Sequence, residues 1–228
     1  MNTKEVRDMF RSYTDEADTT FLTDAQITLY LSEGYSDFRR TVCDIDPFIY
    51  SIEHLFDLTS SNEYDLAATP PQLLGPTAGT GAVGEGAVGT KLERLLRVAR
   101  INDTTNNDVI QYLDAAPSER TMNLWCYTFI KSKIIMSGLS SGAYRLEYVP
   151  FHGIDFSVHA TGRYIDDLDG FHDMIPLYAY SRYAIRDGAD NPQLQTEIAN
   201  KRGSLISFLE SGRNREGSQY VTPYDNWY

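Results

Sequence analysis

Ser140 is a candidate nucleophile, because residues 138–142, GLSSG, have the G-x-S-x-G spacing of a nucleophile elbow. In that motif the serine attacks an acyl carbon from a sharp turn between a strand and a helix. A strand-like run precedes residues 138–142, as the motif requires. Residues 143–149, AYRLEYV, predict a second strand where the elbow needs a helix. The pattern therefore favours a hairpin turn, and a small hydrolase using Ser140 remains the alternative function.

Two overlapping glycine patterns suggest a phosphate-binding loop. GTGAVG and GEGAVG both fit G-x-G-x-x-G, but the preceding residues ATPPQLLGPTA contain prolines that a central strand would exclude. Thr90 comes before Lys91, which reverses the order that a P-loop needs. We therefore expect a long flexible Gly/Ala-rich loop at residues 69–90 and no nucleotide site.

The aspartates before the third predicted helix resemble a calcium-binding loop. Placing Gly170 at the sixth position puts the first ligand at Ile165 and the twelfth at Pro176, and neither side chain can coordinate a metal. The histidines lack the i,i+4 spacing of a zinc site, and Cys43 and Cys126 lack metal spacing. We expect neither a metal nor another cofactor. A pair of carboxylates that cleaves sugars stays open, because their separation cannot be read from the sequence.

Composition narrows the classes of function. The 228 residues are 42% hydrophobic, which suits a globular core, and 20 basic against 32 acidic side chains give a net charge of −12. Such a balance argues against tight nucleic-acid binding. No apolar run is long enough to span a membrane, and residues 1–16 lack the apolar core of a signal peptide. Two cysteines suit a reducing compartment.

Helical patterns occur near both ends of the chain. Apolar residues recur at helical spacing over residues 3–13, and a second helix begins at Thr23 or Asp24 and stops at Pro47. Pro176 lies near the start of a third helix, and a fourth follows a turn at residues 188–192. We expect a common core built from apolar positions of these helices: Ile27, Leu31, Phe38, Leu177, Ala184, Leu205 and Leu209.

The intervening chain has mainly strand patterns. Strands are predicted from Phe48 to Leu58, over the ambiguous KLERLLRVARIN segment, and as an antiparallel meander at 124–130, 133–136 and 144–149, with a short helix at 108–115. The predicted class is α+β: a helical bundle from both chain ends, an inserted antiparallel β region and an extended carboxyl-terminal tail. The predicted boundaries are 1–47 and 171–212 for the bundle, 48–170 for the insertion and 213–228 for the tail.

This order of elements resembles the head-to-tail adaptor proteins of tailed bacteriophages, also called neck, connector or head-completion proteins. The resemblance lies in LTDAQITLYLSEGYSDFRR, in an insertion ending with YRLEYVP, and in FHDMIPLYAYSRYAIRDGADNPQLQTEIANKR. It implies a structural virion protein, not an enzyme, that forms a homo-oligomeric ring, commonly a dodecamer, below the portal. Such a protein seals the DNA channel, docks tail or nozzle proteins and lets genomic DNA pass without tight binding or membrane contact.

The resemblance also suggests two sets of functional residues. The tail would bind the portal protein through Arg213, Arg215, Tyr220, Tyr224, Trp227 and Tyr228. Acidic side chains would face the channel or an adjoining ring: Asp166, Asp167, Asp169 and Asp173. The expected location is the neck of the virion, with assembly in the host cytoplasm. A non-viral interaction module is a third possibility from a different class.

Overall fold

The computed structural model describes residues 1–14, 22–58, 62–67, 92–101, 110–117, 126–137, 142–157, 162–188 and 191–216. Over these residues the protein is a mixed α+β protein with four α-helices and two four-stranded sheets. The chain divides into two compact units. The helical unit comprises Met1–Asp46 and Ile154–Tyr228, and the β unit comprises Pro47–Gly153.

The helical unit contains α1 (Thr3–Thr14), α2 (Asp24–Ile45), α3 (Met174–Arg186) and α4 (Pro192–Glu216). Helix α2 begins with a capping box, in which Thr23 accepts a hydrogen bond from the Gln26 backbone and the Gln26 side chain accepts one from the Thr23 backbone. Pro47 follows the carboxyl end of α2, where it cannot continue the helix. These signals explain why the boundaries of α2 were predictable.

The close approach of α2 and α3 organises the helical unit. A Cβ atom added at Gly34 would lie 2.5 Å from the Ile175 carbonyl oxygen and 2.9 Å from the Ala179 nitrogen, so only glycine fits there. A bidentate ion pair between Arg182 and Asp37, at 2.7 and 2.8 Å, joins the same two helices. Helix α3 also contacts α1 and α4, and so lies among the other three helices.

The predicted core positions are confirmed as buried. They lie on α2, α3 and α4, and each residue is at most 5% exposed to solvent: Ile27, Leu31, Phe38, Leu177, Ala184, Leu205 and Leu209. Helix α4 contributes a narrow stripe, because Leu205 and Leu209 are one turn apart and Phe208 between them is exposed. The apolar spacing was wrong for Ile185 of α3, which is 70% exposed, as it was for Phe208 of α4.

The β unit contains two sheets. The first has the order β1-β8-β3-β4 and the second the order β2-β7-β6-β5. The strand bounds are β1 Ile52–Leu58, β2 Glu63–Asp65, β3 Leu92–Ile101, β4 Ile110–Tyr112, β5 Asp114–Ala115, β6 Cys126–Ile130, β7 Lys133–Met136 and β8 Gly142–Pro150. A single apolar cluster takes residues from both sheets, including Phe56, Tyr64 and Leu146. Leu92–Ile101 of the KLERLLRVARIN segment forms a strand, as the sequence favoured.

Aromatic side chains connect the two sheets. Phe56 on β1 and Tyr64 on β2 have ring centroids 4.1 Å apart, and Phe56 also stacks on Tyr144 of β8 at 5.5 Å. His54, two residues before Phe56 and therefore on the same face of β1, lies with its Nε2 atom 3.0 Å from the Tyr64 hydroxyl. This hydrogen bond joins a strand of the first sheet to a strand of the second.

The predicted topology of the β region is wrong in two places. The helix predicted over residues 108–115 is wrong for the described residues 110–115, since Ile110–Tyr112 pairs with β3 and Asp114–Ala115 pairs with β6. The meander also breaks after β7. Strands β6 and β7 form the predicted hairpin around Lys131, but β8 pairs with β1 and β3 in the other sheet. Strand β8 buries Tyr144, Leu146 and Tyr148, which alternate along one face and pack against Phe56 of β1 and the rest of the shared core.

The predicted boundary of the insertion at residue 170 is also wrong. The described residues after Ile154 belong to the helical unit. Phe156 is fully buried, and its carbonyl oxygen accepts a hydrogen bond of 2.9 Å from the Arg7 guanidinium of α1. The Arg163 carbonyl accepts another from the Thr3 amide. An irregular segment shows no periodicity, so its partner could not be read from the sequence.

Replacing Leu31 with alanine should lower the free energy of unfolding by about 2–5 kcal/mol, because the side chain is fully buried and its removal leaves a cavity. Leu29→Ala is the matched control, since Leu29 lies on the same helix and is 54% exposed. The control should change stability by less than about 0.5 kcal/mol. Denaturant unfolding of both variants measures the difference, and equal effects would contradict the assigned packing of α2.

Stability of the β unit should fall as the pH drops below the ordinary histidine pKa of about 6.5. Burial lowers the pKa of His54, so the unfolded chain binds a proton more readily than the folded one. The stability contribution is therefore complete above about pH 6.5 and is lost towards the lower folded pKa. His54→Gln, which does not titrate, should show a smaller loss in unfolding experiments between pH 8 and pH 5. An unchanged pH profile would contradict this.

Candidate functional site

The four aspartates singled out by the sequence lie together before α3, around a short 3-10 turn at Asp169–Phe171. The amino-terminal strand bridge Asn2–Tyr164 holds the preceding segment against the start of α1. The Asp166 side chain accepts a hydrogen bond of 2.9 Å from the Leu168 amide, which is a local turn typical of aspartate. Sequence and local geometry thus place all four carboxylates on one irregular segment.

His172 is the centre of this acidic segment. Its side chain is fully buried, with Nε2 at 2.6 Å from Asp166 Oδ1 and Nδ1 at 3.3 Å from both the Met1 carbonyl oxygen and Asp169 Oδ1. The Phe38 ring packs edge-on against the imidazole at a centroid distance of 6.1 Å. Because an oxygen faces each ring nitrogen, both nitrogens are engaged inside the unit. This arrangement positions the segment on α2.

The remaining carboxylates differ in exposure. Asp173 pairs with Lys201 and so joins the start of α3 to α4. Asp169 is 66% exposed and pairs with the Met1 amino group, whose hydrogen bond lowers the pKa of the carboxyl. Asp167 is exposed and accepts a hydrogen bond from Tyr164, which raises the pKa of that phenol to about 12. Asp167 and Asp169 therefore carry the solvent-facing charge of the segment.

The segment does not form a metal site among the residues that the structure describes, because they contain no group of three or more suitable ligands. Two of its carboxylates, Asp166 and Asp173, face partners within the unit. The segment can therefore connect α1, α2, α3 and α4 while exposing two carboxylates, those of Asp167 and Asp169, to solvent. The acidic residues could be recognised in the sequence. The contacts of His172 with them could not, because a single histidine carries no periodic signal.

The predicted tail is only partly within the described residues. Helix α4 continues to Glu216, so the prediction that an extended segment begins at Arg213 is wrong for Arg213 and Arg215. Arginine and glutamate favour helix, and the first proline after Pro192 is Pro223. The aromatic residues proposed to bind a portal, Tyr220, Tyr224, Trp227 and Tyr228, lie outside the described residues. The same is true of Ser140 and of the Gly/Ala-rich loop at 69–90.

A second polar group, missed from the sequence, lies on the β unit. Arg145 of β8 forms ion pairs with Glu53 of β1 at 3.0 Å and with Glu147 at 2.9 Å, and it donates a hydrogen bond of 3.0 Å to the Tyr112 hydroxyl of β4. The Arg97 guanidinium lies 4.3 Å above the Phe48 ring and 5.2 Å from that of Tyr112. These contacts tie four strands together across the face opposite the apolar core.

The signal for this network was the alternation of charged and apolar residues in IEHLFDL and YRLEYVP, which marks two-faced strands. Which charges would meet depended on register. Glu53, Glu147 and Arg97 occupy one cross-strand row, and that alignment follows from strand pairing that the sequence did not reveal. The network could therefore not be predicted from the sequence, because the pairing of the strands was not known.

No protein-family profile and no curated protein matches this chain. No helix within the described part of the chain is long and apolar enough to cross a membrane. The function must therefore be argued from the geometry and chemistry of the chain itself.

Proposed function

We propose that the chain is a head-to-tail adaptor of a tailed bacteriophage, which forms a ring below the portal, seals the DNA channel and docks tail or nozzle proteins. The observation that carries this proposal is the order of elements. Two helices precede the β unit and two follow it, and α3 contacts both α1 and α2 across that insertion. This is the order of the adaptor family that the sequence resembles. We infer that the four helices form a bundle from both chain ends.

The distribution of charge supports a conduit for DNA. The chain carries a net charge of −12, and fixed negative charge lets phosphates pass without binding. Asp167 and Asp169 are the members of the acidic segment that are exposed to solvent. In a ring, these two carboxylates are the ones that would face a channel or an adjoining ring, whereas Asp166 and Asp173 hold partners inside the unit.

The carboxyl-terminal residues supply the proposed contact with the portal. Residues 217–228 place Tyr220, Tyr224, Trp227 and Tyr228 among polar residues and glycine. Large aromatic side chains are the usual anchors of protein interfaces, because each buries much surface at little entropic cost. Twelve residues can reach about 40 Å when extended, so they can leave the helical unit and enter a neighbouring protein. We therefore place the portal-binding contact in this segment.

Deleting residues 217–228 should abolish attachment to portal-bearing heads while leaving the melting temperature and ring formation of the purified protein nearly unchanged. The reason is that the anchors are lost but the described helices and strands are intact. Negative-stain microscopy and sedimentation with heads measure ring formation and attachment. Full binding by the truncated protein would exclude the tail as anchor. If the purified protein forms no rings and hydrolyses an ester, and if Ser140→Ala loses that activity, the hydrolase is favoured.

Replacing Asp167 and Asp169 with asparagine should leave rings intact and increase DNA retention at low ionic strength, where electrostatic screening is weakest. Asp8→Asn with Asp44→Asn is a control that removes the same charge at two exposed positions on α1 and α2. Retention of labelled duplex DNA on immobilised rings is the measurement. Equal retention by both double variants would mean that Asp167 and Asp169 lie on an ordinary solvated surface.

A further inference from the structure

The outer edge of β1 is not covered by any of the strands that the structure describes. Strand β1 pairs with β8 along one side through seven consecutive residue pairs without a bulge, and no described strand pairs with its other side. Proteins usually blunt such edges with very short strands, bulges, proline or charged side chains, lysine above all. Strand β1, IEHLFDL, is seven residues long and contains neither proline nor lysine, and its exposed charges are those of Glu53 and Asp57. Within the described part of the chain, no backbone group outside β8 hydrogen-bonds to β1, so its outer side can accept another strand.

The opposite edge of the same sheet is β4, which pairs with β3 and has no second partner among the described strands. One cross-strand row runs from edge to edge through Leu55, Arg145, Ala99 and Tyr112. Leu55 and Tyr112, at the two ends of this row, are 56% and 41% exposed. An exposed apolar side chain thus stands at each edge, on the same face and in the same row.

The strand directions make these two edges compatible. All three pairings in the first sheet are antiparallel, so with four strands β1 and β4 run in opposite directions. If a second copy continues the sheet, its β1 meets β4 of the first copy in antiparallel orientation. The two edges are different surfaces on opposite sides of the sheet, which is what a head-to-tail contact between identical subunits needs.

We propose that β4 of one copy pairs with β1 of the next copy, so that the first sheet continues from subunit to subunit with Tyr112 packed against Leu55. An aromatic residue beside an aliphatic one is a favourable cross-strand pair. The contact is heterologous, and such contacts close into rings or extend as filaments. That the contact closes into a ring rests on the proposed function. The strand pairing itself does not, because it can be tested without a portal.

A twofold pairing of β1 with its own copy is the main competitor. In the register that places Leu55 opposite Leu55, Glu53 of each strand faces Asp57 of the other. Like charges directly opposite each other destabilise a strand pair. The three residues of β4, Ile110–Tyr112, carry no charge, so the paired residues themselves avoid this repulsion and both exposed edges are used. Glu53 would come opposite Asp114 only beyond the end of β4, where the chain has entered β5 of the second sheet. The charge pattern of β1 therefore favours the head-to-tail arrangement.

Cysteine cross-linking tests the pairing. Leu55→Cys and Tyr112→Cys are made separately, each with Cys126→Ser, because Cys126 is partly accessible whereas Cys43 is buried. Mixing the two variants under mild oxidation should give covalent dimers, since opposed residues in a strand pair lie within disulfide reach. Within one subunit the two positions are about 14 Å apart, three strand spacings, so an internal disulfide cannot form.

The controls decide between the arrangements. Neither variant alone should give more than the background of the Cys126→Ser protein. Dimers from Leu55→Cys alone would show the twofold pairing and overturn the proposal. The proposal is also overturned if a concentrated mixture of the two variants, each shown by thermal melts to be folded, gives no dimers. Cross-linking without attachment to heads would leave the sheet pairing standing while the adaptor function fails. If rings attach to heads but the cysteine variants do not cross-link, the adaptor function stands and the sheet pairing is wrong.

A charge variant gives an independent readout without cysteines. Leu55→Lys should raise the protein concentration needed for half-maximal self-association by roughly tenfold, because a charge would be placed at the paired edge. Leu29→Lys is the matched control, since Leu29 is 54% exposed but lies on α2. Light scattering with size-exclusion chromatography measures both, and thermal melts show that each variant is folded. Equal self-association of the two variants overturns the proposal.

Discussion

The helical unit depends on the backbone contact between α2 and α3 at Gly34. Without a side chain at this position, the Ile175 carbonyl and the Ala179 amide approach α2 closely enough for the surrounding apolar faces to interlock. The Arg182–Asp37 ion pair lies on the same two helices but is partly exposed, so its contribution is modest beside the packing. Since α3 also contacts α1 and α4, this approach fixes the helix against which the other three pack.

Strand β8 has the corresponding role in the β unit. It lies between β1 and β3, and its alternating side chains supply Tyr144, Leu146 and Tyr148 to the core and Arg145 and Glu147 to the polar face. Glu147 is only 8% exposed, so its carboxylate needs the Arg145 guanidinium and the Tyr112 hydroxyl that surround it. One strand thereby orders the apolar core on one side and the charged network on the other.

The sequence predicted what depends on local signals and missed what depends on distant partners. Helix α2 was predictable from its cap, its apolar spacing and Pro47, and β3 from its β-rich neighbours. The short strands at 110–115 were mistaken for a helix because three-residue strands are too short to show a period. The His172–Asp166 contact and the Arg145 network were missed for another reason. Their members come from segments whose alignment only the folded chain determines.

Charge illustrates the same distinction between composition and position. A net charge of −12 describes the whole chain, yet several of its acids serve neighbouring cations or amides. Asp24 forms ion pairs with both Arg7 and Arg11, and Asp37 forms one with Arg182. Asp166 makes a short contact with the His172 ring. The arginines largely compensate the charges of Asp24 and Asp37, and all three carboxylates shape the helical unit. The field that solvent or a passing polyanion experiences therefore comes from the exposed carboxylates such as Asp167. Any electrostatic role of this protein is set by those side chains and not by the total.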